Sequence, residues 1–293
     1  MSKVGMVVLN YNDYKTTDKY INSIKDFKAL SEIIIVDNNS TDGSYEKLKK
    51  YENNKIKVIK TEKNRGYSYG NNVGIKALSN VDYVIISNPD ILVEEKVITK
   101  LKKDLEKTED AAIVAPVIKQ LGEYKRGWRL PTIEDEILLN INYYRRRVVR
   151  NLEYNEARFK TPLTRVDVVP GCFFMIKKGI LDLIGNFDEA TFLYYEENIL
   201  ATKLKNINKK SYIDSEVVVT HDLSVSVNKT FNSIKKYKLL KESQKYYVKY
   251  YLKARFFDMI LLGFTYRLSL VIAYIVNFIK KLRSKKKWKT LLL

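Results

Sequence analysis

The side chains with the strongest claim to chemistry stand just past the short apolar runs of this chain. Asn88-Pro89-Asp90 follows YVIIS. A carboxylate at the end of a buried strand, with an oxygen-bearing side chain two positions earlier, suits Mg²⁺ or Mn²⁺ shared with phosphates. A proline turn with a capping aspartate accounts equally for the triplet. His221, the only histidine, closes the run VVVT. There an imidazole can reach the same cleft edge or serve structure alone. Glu196 and Glu197 follow Phe192-Leu193-Tyr194-Tyr195. Adjacent helical residues point about 100° apart, so one glutamate can act as a general base while the other favours the helix dipole.

Three more polar clusters follow the first three apolar runs. Asn10-Tyr11-Asn12 and Asp37-Asn38-Asn39-Ser40 offer an aromatic face and a carboxylate at neighbouring strand ends. Such a pair can sandwich a base and accept its imide N–H, although all these types also favour turns. In Asn64-Arg65-Gly66-Tyr67-Ser68-Tyr69-Gly70-Asn71-Asn72-Val73-Gly74 the glycines admit close backbone approach. The free N–H groups of a helix start and Arg65 suit a diphosphate. The spacing is not G-x-G-x-x-G and the run follows the third strand, so a dinucleotide fingerprint is excluded. An ordinary helix start is the plainer alternative.

The elements that must hold these groups alternate. Strands are expected at 3–9, 32–36, 57–60, 83–87 and 111–115, with helices at 13–24 and 44–51, one that follows the Gly/Asn-rich loop and runs to about 78, and one at 94–106. Asp13 is placed to cap the first helix. This order predicts an α/β domain, a mostly parallel sheet flanked by helices, with its site at the carboxyl ends of the strands. Residues 121–165 break the rhythm and read as a lid or acceptor-facing insertion. A strand at 166–176, helices at 178–184 and 195–206, and a strand at 216–220 follow.

The chain has 293 residues, 45% of them hydrophobic and 30% charged, which suits a globular catalytic domain with an appendage. One cysteine, Cys172, excludes an intrachain disulfide and fits a reducing compartment. The N-terminal run lacks the long apolar core and cleavage site of a signal peptide. The net charge of +19 is concentrated: residues 229–293 hold 17 of the 53 Lys and Arg and only two of the 34 acids. A nearly balanced body with a basic tail fits an adhesive appendage, not a nucleic-acid cleft. The expected domains are 1–228 and 229–293.

Taken in order, the stretches VVLNYND at 7–13, IIIVDNNSTDGS at 33–44, NRGYSYGNNVGI at 64–75 and ISNPDILV at 86–93 resemble glycosyltransferase family 2. VVPGCFFMIKK at 168–178, GNFDEATFLYYEEN at 185–198 and VVTHD at 218–222 continue the likeness, which is greatest to bacterial rhamnosyltransferase-like enzymes of surface polysaccharides. The resemblance implies the GT-A fold, a Rossmann-like nucleotide-diphospho-sugar transferase, and single-displacement inverting transfer to a saccharide or lipid-linked acceptor. By that likeness Asp37 binds the base, Asn64, Arg65 and Gly66 lie at the donor and Asn88 stands in the metal motif beside it; Asn10, Tyr11, Asn38 and Asn71, from the clusters above, complete the expected donor site. Asp90 and His221 take Mg²⁺ or Mn²⁺, and Glu197 is the base with Glu196 as the alternative. The family's Asp-x-Asp is Asn88–Asp90 here, its Glu-Asp pair is Glu196-Glu197, and Ile199 replaces a further acid. Those departures leave open a silent nucleotide-sugar-binding relative that acts as a membrane-bound assembly partner.

The tail interleaves lysine with Tyr237, Tyr246, Tyr247, Tyr250 and Tyr251, then turns apolar over Phe256–Ile279 and basic over 280–289. Length permits a span, but Arg267 and Asp258 oppose one. The reading is of helices lying in the interface on anionic lipid, at the cytoplasmic face of the cell membrane, peripheral or monotopic; a soluble helical subdomain is the alternative.

Overall fold

The structure, a computed structural model, describes residues 2–222 and 233–290. Its first part alternates as expected. Strands β1 (Val4–Asn10), β2 (Glu32–Asp37), β3 (Ile56–Lys60) and β4 (Tyr83–Ser87) are separated by helices α1 (Tyr14–Ile24), α2 (Ser44–Leu48) and α3 (Tyr67–Ala77). These four strands are parallel, in the order β3-β2-β1-β4. Their continuous Val/Ile runs are buried on both faces, as crossover helices require. Successive residues divide between two cores: Met6, Val8, Ile33 and Ile35 face one layer, and Val7, Ile34 and Val36 the other.

Beyond β4 the sheet is mixed. The chain continues through β5 (Ile91–Leu92), α4 (Glu95–Lys107), β6 (Ala111–Gln120) and β7 (Glu123–Lys125). After helices α5 (Ile133–Leu138) and α6 (Asn142–Leu152) come β8 (Leu163–Val166), β9 (Phe173–Lys177), α7 (Lys178–Leu183), α8 (Glu196–Asn206) and β10 (Lys210–His221). β9 lies antiparallel between β4 and β6, β6 and β10 are parallel, and β5 pairs antiparallel with the end of β10. The parallel expectation therefore describes the β3-β2-β1-β4 half of one mixed sheet.

Three local readings change. The single strand expected over 166–176 is two, because Pro170 and Gly171 lie where the chain leaves the sheet, and β8 and β9 pair with different neighbours. The last strand is longer than 216–220: it begins at Lys210 and carries an irregularity between Asp214 and Val218. Asp13 occupies the N-cap of α1, but its side chain makes no capping bond.

The chain divides into two compact units, Met1–Leu130 with Glu153–Phe231, and Pro131–Leu152 with Asn232–Leu293. Residues 121–165 are thus shared out: β7 and β8 join the sheet, and α5 and α6 belong to the helical unit. The boundary read at 228/229 lies outside the described residues. Within the helical unit, α5 starts on a Thr132–Asp135 capping box and packs with α9 (Ser233–Tyr250) and α10 (Phe256–Thr290) through Ile137, Val248 and Leu262.

Candidate active site

The carboxyl ends of β1 and β2 form a closed polar lattice. Asn10 Nδ2 donates to Asp37 Oδ2 at 2.8 Å and to Ser40 Oγ at 3.1 Å, while Thr17 Oγ1 donates to Asn10 Oδ1 at 2.7 Å. Ser40 N donates to Asp37 Oδ1 at 2.8 Å, so both carboxylate oxygens accept a bond. Asn38 Nδ2 reaches Asn64 Oδ1 at 3.0 Å and the Gly66 carbonyl at 3.1 Å, tying the loop after β2 to the one before α3. Asn10, Asp37 and Asn38 are buried, and Tyr11 beside them is half-buried. Arg65 stays exposed, stacked on Tyr69 at 4.7 Å and 3.8 Å from Glu189. Asn71 is buried on α3; its Nδ2 donates to the Tyr67 carbonyl, and its Oδ1 has no partner among the described residues.

A second group forms where β4 gives out. Pairing of His221 with Ile91, reinforced by Asp222 N donating to the Asp90 carbonyl at 2.8 Å, sets the imidazole beside the Asp90 carboxylate. His221 Nε2 lies 3.1 Å from Asp90 Oδ1, with the two side chains 11% and 2% exposed. Neither ring nitrogen makes a hydrogen bond among the described residues. An oxygen-donor and a nitrogen-donor side chain side by side, the imidazole without another hydrogen bond among the described residues, are of the type that could help hold a divalent cation. No cluster of three or more His, Cys, Asp or Glu suited to a metal occurs among the described residues.

The glutamates approach from the side of β9. Asn88 N donates to the Cys172 carbonyl at 2.8 Å, and the preceding Gly171 lies against the Glu197 side chain, where any Cβ would overlap the carboxylate. The charges of both Asp90 and Glu197 act on the Cys172 thiol, which burial in the first place pushes up to about 12. The Gly171-Cys172 turn thus has the Glu197 side chain on one side and the end of β4, two residues before Asp90, on the other. Tyr67 joins the two groups: its N–H donates to the Phe192 carbonyl and its hydroxyl to the Gly171 carbonyl, both at 2.9 Å.

The two glutamates differ. Glu197 is half-buried, while Glu196 is 6% exposed with Oε1 unpartnered among the described residues. Burial, then the Glu197 charge, pushes the Glu196 carboxyl up to about 8. Glu197 is also raised by burial, against the pull of its own and the Gly171 backbone N–H. A small apolar pocket lined by Phe174, Phe187 and Leu200 beside both acids accounts for that desolvation. Tyr194 and Tyr195 lead into α8 with φ of 75° and 71°, two bulky residues in the left-handed region that aim the first turn.

Sequence reasoning missed five contributors. Tyr67 read only as part of a glycine loop, and Gly171 and Cys172 as strand. Asn72 read only as a member of the same cluster as Tyr67, yet its amide clamps Phe187 by donating to its carbonyl and accepting from its N–H. Trp128, from the unpatterned stretch, donates from Nε1 to Asn198 Oδ1 at 3.0 Å in the first turn of α8. Only their three-dimensional neighbours give these residues a role.

The family model described as glycosyl transferase family 2 matches residues 6–185, more than half of the sequence and the segment that carries β1 through the Gly171–Cys172 turn. The chain belongs to glycosyl transferase family 2. This family 2 chain is 26% identical over 200 residues to the low-salt glycan biosynthesis hexosyltransferase Agl10 of Haloferax volcanii, covering 67% of the chain and 60% of that protein. It is 24% identical over 204 residues to the N-acetylglucosaminyl-diphospho-decaprenol L-rhamnosyltransferase of Mycobacterium tuberculosis, covering 64% of the chain and 66% of that protein. The match thus spans less than two thirds of either relative's length. Among solved structures, GalNAc-T7 with UDP, GalNAc and Mn²⁺ superposes with a TM-score of 0.60 at 18% identity, over 75% of this chain and 44% of that one. The mannosyltransferase PcManGT from Pyrobaculum calidifontis, with GDP-Man and Mn²⁺, gives 0.57 at 14% identity, over 98% and 82%. These likenesses show the GT-A fold.

Proposed function

We propose that this chain is an inverting glycosyltransferase that moves a sugar from a nucleoside-diphosphate donor to a saccharide or lipid-linked saccharide in bacterial surface-polysaccharide synthesis. The observation that carries the reading is the pairing of Asp90 with His221 at 3.1 Å, with Glu197 against Gly171 in the turn whose Cys172 carbonyl accepts from Asn88 N. Family membership and the glycan-building relatives support it.

Glu197 takes the proton from an acceptor hydroxyl. The freed oxygen forms its bond to the anomeric carbon as the bond to the diphosphate breaks on the opposite face, and the configuration inverts. A carboxylate raised by burial is a stronger base than an exposed one, which suits proton removal near neutral pH. Glu196, neutral below about pH 8, keeps a second negative charge from opposing the departing diphosphate. Asp90 and His221 would hold Mg²⁺ or Mn²⁺, and the ion, when bound, offsets charge on the leaving group. The loops of Asp37–Asn38 and Asn64–Gly66, fixed to each other by Asn38, would seat the nucleotide, with Tyr11 and Arg65 as the accessible contacts. The lone cysteine and the lipid-linked substrate named for one relative support a place at the cytoplasmic face of a membrane.

Thermal-shift screening of the purified chain against UDP-, dTDP- and GDP-sugars, with and without Mn²⁺, tests donor binding. Turnover is then read as transfer or donor hydrolysis. Glu197→Gln should keep donor binding and lose about 10²–10⁴-fold in turnover. Asp90→Ala should lose the metal-dependent shift, and near-normal turnover by that variant in chelator would remove the metal from the scheme. A chain that binds donor but neither transfers nor hydrolyses it would be a nucleotide-sugar binder only.

A further inference from the structure

Helix α10 is inverted with respect to a water-soluble helix. Its covered face carries Leu262, Thr265 and Ser269, and its open face carries Phe257, Ile260, Phe264, Leu268, Val271 and Ile275, all about half exposed or more. Thr265 Oγ1 accepts from Asn140 Nδ2 at 3.1 Å, Lys241 donates to Asn140 Oδ1, and Tyr237 OH donates to Ser269 Oγ at 2.7 Å. Polar groups inside and a broad apolar face outside are what a hydrocarbon solvent demands.

The same bonds decide how the helix meets that solvent. Tyr237 and Lys241, one turn apart on α9, connect to Ser269 and Thr265, one turn apart on α10, so α9 runs antiparallel along the middle of the apolar stretch Phe256–Ile279. α9 exposes Lys235, Lys238, Glu242, Lys245 and Lys249. Were α10 to cross a bilayer, Lys238 and Glu242 would sit near its midplane, where charge is strongly disfavoured. Arg267, exposed on α10 itself, would sit there too.

We propose that α10 lies in the plane of an anionic phospholipid surface, with its open face in the acyl region and α9 on the water side. This deepens the membrane location given above and does not depend on the chemistry at Asp90. Arg267 then reaches the phosphates along its aliphatic stem. The occupant is lipid, not a second copy, because residues 229–293 hold 17 cationic side chains against two acids. Two copies meeting here would bring like charges together, whereas anionic headgroups neutralise them.

The test is flotation of the full chain with phosphatidylcholine vesicles and with vesicles containing phosphatidylglycerol. Binding should need phosphatidylglycerol, weaken with salt and be reversed by alkaline carbonate. The double variant Phe264→Glu/Leu268→Glu should lose about tenfold or more in vesicle affinity, with unchanged circular dichroism and donor-induced thermal shift. Protein that resists carbonate and leaves only with detergent would overturn the in-plane arrangement in favour of a span. A wild-type dimer that ignores vesicles and falls to monomer on the same substitution would overturn it in favour of self-association. Because donor binding is read separately, failure here leaves the enzyme assignment standing, and failure of that assignment leaves this one.

Discussion

At the scale of single residues, the division between Glu196 and Glu197 is the most informative result. Two adjacent acids with the same chemistry are separated by a difference in exposure and by the neighbours each has. Glu196 is the buried one, raised from 4.5 to about 8, so the folded protein keeps a proton there that the unfolded chain has released. Stability of the wild-type chain should therefore fall as pH rises from about 4.5 to about 8, since the native state binds more protons than the unfolded one over that window. In Glu196→Gln, melting temperature followed over the same range should be flatter, and higher than wild type at its alkaline end. A parallel decline in both proteins would show that another group titrates there.

At the scale of elements, the site is assembled by the pairing of chain segments and by tight turns. The two-residue strand β5 matters for its position alone: it pairs with the end of β10 and so brings His221 to Asp90 across 131 positions of sequence. The Asn64–Gly66 turn is similarly constrained. Gly66 has φ of 103°, and a Cβ there would run into the Phe192 carbonyl, to which the next residue, Tyr67, also donates. Gly66→Ala should cost about 1–3 kcal/mol in chemical denaturation. It should also raise the donor KM, since the loop that shifts is the one bonded to Asn38. A variant with wild-type stability and KM would show that the turn relaxes freely.

At the scale of the whole molecule, two units of different character share one chain. The sheet unit buries Val/Ile strands between helices, whereas the helical unit is held in part by buried polar links among Glu136, Asn140, Lys241 and Gln244. Burial, with Arg145 nearby, pulls the Lys241 amine down to about 8. Lys241→Ala removes the donor to Asn140 and Gln244 and should destabilise the helical unit by about 1–3 kcal/mol, leaving the donor-induced thermal shift of the sheet unit unchanged. Equal loss in both readouts would mean that the two units unfold as one.

The α/β alternation, the positions of the polar clusters after the strands and the concentration of charge in the tail were all legible in the residues, because periodicity and composition are local properties. The family pattern was legible for the same reason, in motifs that each lie within a dozen consecutive positions. What folding decided was non-local. The direction of β9, the split at Pro170-Gly171, the gift of 131–152 to the helical unit and the roles of Tyr67, Asn72 and Trp128 all depend on partners dozens of residues away. A hydrogen bond or an overlap across such a separation leaves no period in the sequence, so only the packed chain could choose them.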